Sequence, residues 1–222
     1  MSLPFPSWEN GCLLNGMSHS HTAGIRQAQK QKTRQALLDA ALQLLEEQSL
    51  SSLGLREVTR AVGVAPTAFY RHFRDTADLG VALVEETLGS LHATIGEALA
   101  ESGDDVRIDR TVALIAELVR TSPTHVRFIA RERHGGVQPV REAIGAQLRR
   151  FADEVAAAFA GEPDAAGWSE ADLQMLAGVY VDHMVMTACT FLEAGPEGEE
   201  QVGSVARRQL RLISLGRRHW LD

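Results

Sequence analysis

Hydroxyl, basic and small side chains follow Pro66 at positions that a short helix would direct toward solvent. Phe69 and Phe73 are four residues apart and predict the buried face of that helix. The positions left facing outward are Thr67, Ala68, Tyr70, Arg71 and His72. Hydrogen-bonding and cationic groups on a narrow helix suit contacts with base edges and phosphates in a DNA major groove. We therefore interpret this segment as a candidate recognition helix.

The preceding residues predict the helix and the turn that would position this segment. Leu55, Val58 and Val62 have the i, i+3, i+7 spacing of one helix face. Gly63 follows where a sharp turn needs a positive φ. Pro66 is tolerated in the first turn of the next helix because the amide that it lacks would be unpaired there. The pattern predicts a helix-turn-helix, although any two helices joined by a glycine turn share part of it.

A basic segment leads into the first predicted helix of the same unit. That helix has an apolar stripe consisting of Leu38, Ala41, Leu42 and Leu45. Lys30, Lys32 and Thr33 precede the stripe, and the amino end of a helix favours anions, so we expect these residues to contact phosphates. A solvated charged end is the alternative interpretation. The other candidate DNA-binding residues are Arg56, Pro66 and Arg74.

The distribution of charge supports a DNA-binding face in the first third of the chain. The net charge of the 222 residues is −7, which by itself argues against a DNA-binding protein. Residues 1–74, however, hold eight basic and five acidic side chains, so this part carries +3 and the remainder −10. Fields beyond about 10 Å are largely screened in physiological salt, and attraction to phosphates therefore stays local.

The string Val-Ala-Pro-Thr-Ala-Phe-Tyr-Arg-His-Phe-Arg-Asp, residues 64–75, resembles the helix-turn-helix of the TetR family of one-component bacterial regulators. Ala65 stands where most of that family has Ser or Thr. The Ala-Pro-Thr variant is similar to the FabR and DesT type of repressors of unsaturated fatty-acid synthesis. The resemblance is specific from about Arg26 to Gly80 and weaker over residues 122–135. It implies three helices for DNA and six for ligand binding and dimerisation.

Helical periodicity continues through the rest of the chain, without any strand pattern. We therefore expect an all-α protein of about nine helices. Three parts are predicted: a disordered tail over residues 1–25, a helix-turn-helix DNA-binding domain over residues 26–74, and a ligand-binding and dimerisation domain over residues 75–222. The last part includes a long helix that begins near Asp75 and joins the DNA-binding domain to the body.

Apolar stripes in the predicted ligand-binding domain are candidate walls of an acyl-chain tunnel, although most such stripes are plain core. The candidate lining residues are Phe128, Phe151, Phe159 and Met184. Arg131 and Arg133 lie on a short helix within the weaker resemblance. Guanidinium groups suit the phosphates of a coenzyme A headgroup, and an interdomain or intersubunit salt bridge is the alternative. The predicted effector is a long-chain acyl-CoA or a similar hydrophobic molecule.

The helix predicted over residues 169–194 is apolar around much of its circumference, more than one monomer can easily cover. We expect it to form a four-helix bundle with the last helix and their symmetry mates. A homodimer on a palindromic double-stranded operator follows from this arrangement. Met184 and Ala188 are then expected in the interface, whereas Asp182 and His183 need polar partners within a buried helix.

Several functional classes lack support in the sequence. The two cysteines, Cys12 and Cys189, are too few for a disulfide framework or a metal cluster. The metalloprotease, serine-hydrolase and phosphate-loop motifs are missing from the sequence, so we expect no enzyme, no cofactor and no metal. Adventitious metal binding at His19 and His21 is a minor alternative. No signal-peptide pattern and no apolar run of about 18 residues is present, so we expect a cytoplasmic protein without membrane contact.

The predicted function is a DNA-binding transcriptional regulator of genes for lipid or unsaturated fatty-acid metabolism. The resemblance to the TetR family implies that this regulator is a repressor. One alternative is a TetR-type repressor of an efflux or catabolic operon that responds to another hydrophobic effector. A second alternative, from a different class, is an acyl-chain binding protein or enzyme with an incidental helix-turn-helix.

Overall fold

The structure is a computed structural model that describes residues 15–101 and 103–220, with side chains from residue 24 onward. All regular elements within these ranges are helical, which confirms the all-α prediction. The helices are α1 (Asn15–Leu44), α2 (Leu55–Val62), α3 (Pro66–Phe69), α4 (Thr76–Gly89), α5 (Leu91–Leu99), α6 (Asp104–Thr121), α7 (Pro123–Glu132), α8 (Gln138–Ala160) and α9 (Glu170–Arg218).

Helix α1 begins at Asn15, well before the first apolar stripe. It includes residues 15–25 of the segment for which the sequence predicts a disordered tail, and residues 1–14 of that segment lie outside the described residues. Ala, Gln, Lys and Arg dominate residues 26–34, and their high helix propensity extends the helix without an apolar face. A tail boundary drawn from the loss of hydrophobic periodicity is therefore placed too late.

The helix-turn-helix forms as its local signals predict. Gly63 has φ 74° and ends α2, and its amide donates to the carbonyl of Arg60 over 3.1 Å. Phe69 is fully buried and Phe73 nearly so, with ring centroids 5.5 Å apart. Helix α3 itself is a single turn, and hydrogen-bonded turns continue it to Phe73, whose amide donates to the carbonyl of Phe69 over 3.0 Å.

The long helix predicted from Asp75 is interrupted at Ser90. Asp75 caps α4 as expected, since its carboxylate accepts a 2.7 Å hydrogen bond from the amide of Asp78. The Ser90 hydroxyl donates to the carbonyl of Thr87 over 3.2 Å at the junction between α4 and α5. Adjacent Gly and Ser residues are a common site of helix kinks, and Gly89 precedes this junction.

The last two predicted helices run on as one broken helix. Gly195, with φ 65° and ψ −171°, is the non-helical residue inside α9, and Pro196 follows it. A proline inside a helix removes one hydrogen bond and clashes with the preceding turn. We refer to residues 170–194 as the first arm of α9 and to residues 196–218 as its second arm.

The main hydrophobic core crosses the boundary between the two predicted folded domains. Leu38 and Phe69 from the helix-turn-helix unit belong to the same buried cluster as Leu83 and Ile144. Gly80 permits this close packing, because a Cβ atom there would lie 2.5 Å from a Leu50 methyl carbon and 2.8 Å from one of Val140. The start of α4 is thereby fixed between the loop after α1 and helix α8.

Helix α9 contains an 18-residue window that could cross a membrane by length and composition alone, which the sequence analysis did not find. Only 28% of this window is buried within the chain. Core helices of soluble proteins pass the same test, and α9 packs against α6 and α8. The low burial nevertheless leaves an apolar face of α9 uncovered.

Candidate nucleic-acid interface and apolar cavity

Most of the candidate recognition side chains lie at the surface around α3. Thr67 and Arg71 are exposed, Ala68 is half-buried, and Tyr70 is 63% exposed. The Tyr70 ring packs edge-on against Phe69, with the centroids 5.9 Å apart, and this contact holds the phenol at the rim of the unit. The surface above the buried Phe69 ring therefore presents the hydroxyl of Thr67, the phenol of Tyr70 and the guanidinium of Arg71.

His72 lies differently from its neighbours because it is half-buried between α1 and the end of the recognition segment. Its Nδ1 atom is buried without a hydrogen-bond partner. Burial lowers the pKa of His72, and the nearby charges of Lys30, Arg34 and Arg71 lower it further. His72 is thus a packing residue whose charged form is disfavoured by burial and by three nearby cations from α1 and the recognition segment.

Arg34 is a member of this basic group that the sequence-based set of candidate sites omits. Its guanidinium carbon lies 5.1 Å from the centroid of the Phe73 ring, a cation–π contact with the buried base of the unit. The i, i+4 spacing from Lys30 to Arg34 places both cations on one side of α1. That spacing is the signal in the sequence that could have identified Arg34.

The physical reason for the predicted phosphate contacts of α1 needs correction. Lys30, Lys32 and Thr33 lie in the second half of a 30-residue helix, far from its positive end. The Thr33 hydroxyl donates to the carbonyl of Gln29 over 3.0 Å, within its own helix. Lys30 and Lys32 are exposed, so what they offer a phosphate is side-chain charge and not the helix dipole.

The remaining candidate DNA contacts are exposed at the flanks of the unit. Arg56 projects from α2, and Pro66 opens α3. Arg74 is exposed, but its guanidinium donates a 2.8 Å hydrogen bond to Asp78, which also accepts the backbone amide of Arg74. Arg74 is therefore already paired with a carboxylate at the start of α4.

An apolar cavity of about 160 Å³ lies among α4 to α9. Aliphatic and aromatic side chains form most of its wall, including Leu88, Ile95, Ile115, Ile129, Phe151 and Met184. Two of the predicted lining residues, Phe151 and Met184, are thus in place. Of the other two, Phe128 is buried in the main core, and Phe159 borders a smaller adjoining cavity of about 30 Å³.

The expected interface role of Met184 and Ala188 is corrected by their position, because both side chains line the cavity. Cys189 lies beside them, and burial raises the pKa of its thiol. The exposed apolar side chains of the first arm are instead Met175, Val179 and Met186. The helix is apolar on two sides, and periodicity alone did not show which side faces inward.

Arg131, proposed for a phosphate, is directed to the carboxyl end of α1. One terminal nitrogen of its guanidinium donates to the carbonyls of Leu45 and Gln48 over 2.8 and 2.7 Å. The other donates to the carbonyl of Glu46 over 3.3 Å. This geometry resembles the alternative of an interdomain salt bridge, except that Arg131 binds backbone carbonyls and not a carboxylate. Arg133 lies 3.6 Å from the carboxylate of Asp182.

Helix α7 touches both the cavity and the helix-turn-helix unit. The carboxylate of Glu132, only 1% exposed, accepts a 2.9 Å hydrogen bond from the amide of Leu50, next to the loop that Arg131 holds. Val126 and Ile129 of the same helix line the cavity. One rigid helix therefore joins the wall of the cavity to the segment between α1 and α2.

The two polar residues of the first arm differ in burial. Asp182 is exposed, with 74% of its side chain accessible, and needs no buried partner. His183 is half-buried; burial lowers its pKa, and a hydrogen bond involving the backbone of Ala206 raises it in part. His183 is thus a contact between the two arms of α9.

Four charged side chains from three separate segments of the chain meet in one cluster, and sequence reasoning missed them. Arg217 pairs with Glu162 over 2.5 Å and with Asp104 over 3.2 Å. Arg107 pairs with Asp104 and Glu162, each over 2.5 Å. Asp104 and Arg217 are 113 residues apart, so no spacing signal in the sequence relates them.

Residues 37–83 match the family model described as bacterial regulatory proteins, tetR family. The matched region runs from the second half of α1 through the helix-turn-helix into α4. The N-terminal unit of this chain is therefore a TetR-type DNA-binding unit.

Solved structures of bacterial regulators share the fold over most of the chain. The transcriptional regulator FadR from Bacillus subtilis, in complex with stearoyl-CoA, is 14% identical, with a TM-score of 0.66 over 81% of this chain and 96% of that chain. AibR, in complex with isovaleryl coenzyme A and operator DNA, is 17% identical, with a TM-score of 0.60 over 78% and 95%. NalD, the secondary repressor of the MexAB-OprM multidrug efflux pump in Pseudomonas aeruginosa, is 20% identical, with a TM-score of 0.61 over 82% and 96%.

Proposed function

We propose that this protein is a TetR-family transcriptional regulator of the cytoplasm, which binds a palindromic operator as a homodimer under the control of a hydrophobic effector. The observation that carries the proposal is the position of α7. Ile129 lines the cavity, while Arg131 and Glu132 hold the loop before the helix-turn-helix. A ligand in the cavity shifts the DNA-competent state to the extent that it binds the two states with different affinities.

The charges around α3 support the DNA-binding part of the proposal. Lys30, Arg34 and Arg71 all lie near His72, and Thr67 on the same recognition segment is exposed. Cations supply attraction to phosphates that does not depend on sequence, and side chains on the recognition segment supply base contacts. The acidic remainder of the chain does not oppose this binding, because salt screens its field.

An uncovered apolar face of α9 supports the homodimer. Its members occur on both arms and are Met175, Val179, Met186, Val205, Leu212 and Leu215. Contiguous exposed apolar surface on a folded protein marks an interaction site, and a second copy would cover it with the same face. Twofold symmetry of the dimer also explains why a palindromic operator is expected.

A fatty-acyl thioester is the effector that we propose, which would make the target genes those of lipid or fatty-acid metabolism. The apolar wall of the cavity suits an acyl chain, and regulators with the same fold have been solved with stearoyl-CoA and with isovaleryl coenzyme A. An apolar cavity of about 150 Å³ is known to bind benzene, so a cavity of this size suits an apolar group of about six carbons. A long chain would also have to occupy the adjoining cavity beside Phe159.

A titration of operator binding tests the proposal. The operator is sought in the DNA upstream of the protein's own gene and of lipid-synthesis genes, and a fluorescent duplex then reports its affinity. Octanoyl-CoA, palmitoyl-CoA and oleoyl-CoA are added in separate titrations, with coenzyme A lacking an acyl chain as the control. We expect the acyl thioesters to change operator affinity to clearly different extents and coenzyme A to have no effect. Equal effects, or none, would contradict the lipid-sensing proposal.

The small cavity also favours a second candidate, a repressor of an efflux or catabolic operon that binds a compact neutral effector. Naphthalene in the same titration separates the two. A response to naphthalene without a response to acyl thioesters would assign the second function.

A further inference from the structure

Helix α1 contains a long segment in which every charged side chain is basic. The sequence has no acidic residue between Glu9 and Asp39, whereas four basic residues of α1 fall in this interval, namely Arg26, Lys30, Lys32 and Arg34. Residues 24–32 are all exposed, and the buried positions of the helix begin only at Leu37. We refer to residues 24–32 as the exposed segment of α1, which the described part of the chain leaves uncovered.

Three of the four cations form a stripe along one side of the helix. Arg26, Lys30 and Arg34 are four residues apart, so each is the neighbour of the next on the helix surface, and the stripe is about 12 Å long. Like charges at this spacing destabilise a helix. None of the three forms an ion pair with a carboxylate of the described residues. The repulsion along the stripe would therefore be relieved by an anion from outside the chain.

The stripe begins beside the recognition segment. The guanidinium carbon of Arg34 lies 5.1 Å from the centroid of the Phe73 ring. Lys30 is close enough to His72 for its charge to lower the pKa of that imidazole. Arg26 lies one further turn along α1, about 6 Å from Lys30 along the helix axis. The stripe therefore runs from the recognition segment to a position beyond it.

The polyanion that fits this stripe is the backbone of a DNA duplex. Duplex DNA carries one negative charge for about every 1.7 Å of its axis, so cations about 6 Å apart can each face a phosphate. Guanidinium groups also match the geometry of phosphate oxygens. Because Arg34 and Lys30 adjoin the recognition segment, the surface of the stripe is continuous with that of the DNA-binding unit.

We infer that the exposed segment of α1 binds the phosphate backbone outside the operator half-site, and that Arg26 makes this flanking contact. The inference rests on the proposed function in one respect, since a duplex must first be seated on the recognition segment. Contacts with phosphates carry no sequence information, so the flanking DNA adds affinity but no base preference. In a homodimer the contact is made twice, once on each side of the operator.

The salt dependence of DNA binding by the full chain tests this inference with two operator duplexes. The short duplex ends at the outermost base pairs whose substitution changes affinity. The long duplex continues for about ten base pairs on each side, or about 34 Å, which exceeds the roughly 28 Å from Arg34 to Asn15 along α1. We expect the slope of log affinity against log salt to be steeper by about 2 for the long duplex, because each of two flanking contacts adds about 0.9. Equal slopes for the two duplexes would overturn the inference.

The variant R26Q assigns the flanking contact to one side chain. Glutamine lacks the charge but has nearly the helix propensity of arginine, and residue 26 is exposed, so the melting temperature should stay near the wild-type value. R26Q should bind the short duplex as the wild type does and should lose the difference in slope between the two duplexes. The matched control is R110Q, which removes an exposed arginine of α6 that forms no ion pair within the described residues. A difference in slope that persists in R26Q, or an equal loss of affinity for both duplexes, would overturn the inference.

A duplex of random sequence separates failure of this inference from failure of the proposed function. Phosphate contacts do not depend on sequence, so R26Q should lower the salt slope on this duplex as well, by about 0.9 for each bound subunit. Equal affinity of the wild type for random and operator duplexes would contradict the proposed regulation, while the lower slope of R26Q would retain the phosphate contact. Scrambling the flanks of the long duplex should have no effect. A loss of affinity on scrambling would overturn the inference, since it would assign the segment to base contacts.

Discussion

The guanidinium of Arg131 donates a 2.7 Å hydrogen bond to the carbonyl oxygen of Gln48. This bond, with those to Leu45 and Glu46, ties α7 to the end of α1. Because Ile129 on the same helix lines the cavity, we expect a change in the cavity wall to reach the loop that precedes the helix-turn-helix.

R131A should uncouple the effector from the operator. The substitution removes three hydrogen bonds to the loop but no atom of the cavity wall. Allosteric coupling energies are typically about 1–3 kcal/mol, so we expect the effector-induced change in operator affinity to fall by about fivefold or more. Effector affinity, measured by calorimetry, should stay near the wild-type value. The control is R120A, in which the lost arginine pairs with Glu117 of its own helix.

Substitutions on the DNA-binding face should divide into two kinds. R71A and T67A should relax sequence preference. A mismatched base pair in a specific site usually costs about 1–3 kcal/mol of binding free energy, and this cost should fall at the base pair that the lost side chain contacts. K32A and Y70F should weaken binding to all sequences, and K32A should also reduce the slope of log affinity against log salt by about 0.9. Competition with mutated operators, repeated at several salt concentrations, measures both effects. A selective loss at one base pair in K32A would contradict its assignment to phosphate.

Charge on the uncovered face of α9 should separate the subunits. Met186 is 62% exposed and Leu212 is 70% exposed, so M186R and L212R are tolerated in a monomer but place unpaired cations in the proposed interface. Light scattering coupled to size-exclusion chromatography should show monomers that no longer bind the operator. E142R, at an exposed position of α8, is the control. A dimer that persists in both variants would place the interface on another surface.

G63A should destabilise the helix-turn-helix. The φ of Gly63 is 74°, and the left-handed region costs a residue with a Cβ about 1–2 kcal/mol. Urea unfolding should therefore show a lower free energy of unfolding, and operator binding should weaken. Gly89 has no atom within 4 Å of an added Cβ and is the last helical residue of α4, without a positive φ, so G89A should preserve or raise stability. Equal stability of the two variants would show that the turn is not strained.

Stability should fall in acid through the titration of Asp104. Burial raises its pKa, but hydrogen bonds from Ser214 and Arg218 and the charge of Arg217 outweigh burial, and the pKa drops from 3.8 to about 2. A lowered pKa in the folded state stabilises the protein above pH 3.8, and this contribution is lost as the pH falls from 3.8 through about 2.

The matching variant is D104N, which should be less stable at neutral pH and should lose part of the slope between pH 4 and pH 2. Urea unfolding at a series of pH values measures both quantities. An unchanged slope would assign the acid sensitivity to other carboxylates.

Local features of the sequence determined the DNA-binding unit. Gly63 adopts the positive φ that the turn needs, and Phe69 and Phe73 are buried at the helical spacing of four residues. Asp75 accepts a hydrogen bond from an amide that would otherwise be unpaired at the start of α4. Each of these signals acts within a few residues, and for that reason each can be read without knowledge of the rest of the molecule.

Only the tertiary structure decided which partner each exposed or buried group has. A helical stripe predicts that Met184 and Met186 belong to an apolar helix, but packing against α6 and α8 places one in a cavity wall and the other at the surface. The sequence likewise places Arg131 on a short charged helix, whereas its partners at Leu45 and Gln48 come from a separate element. Periodicity encodes the polarity of a helix face, while the identity of the group that covers it depends on contacts between residues far apart in the chain.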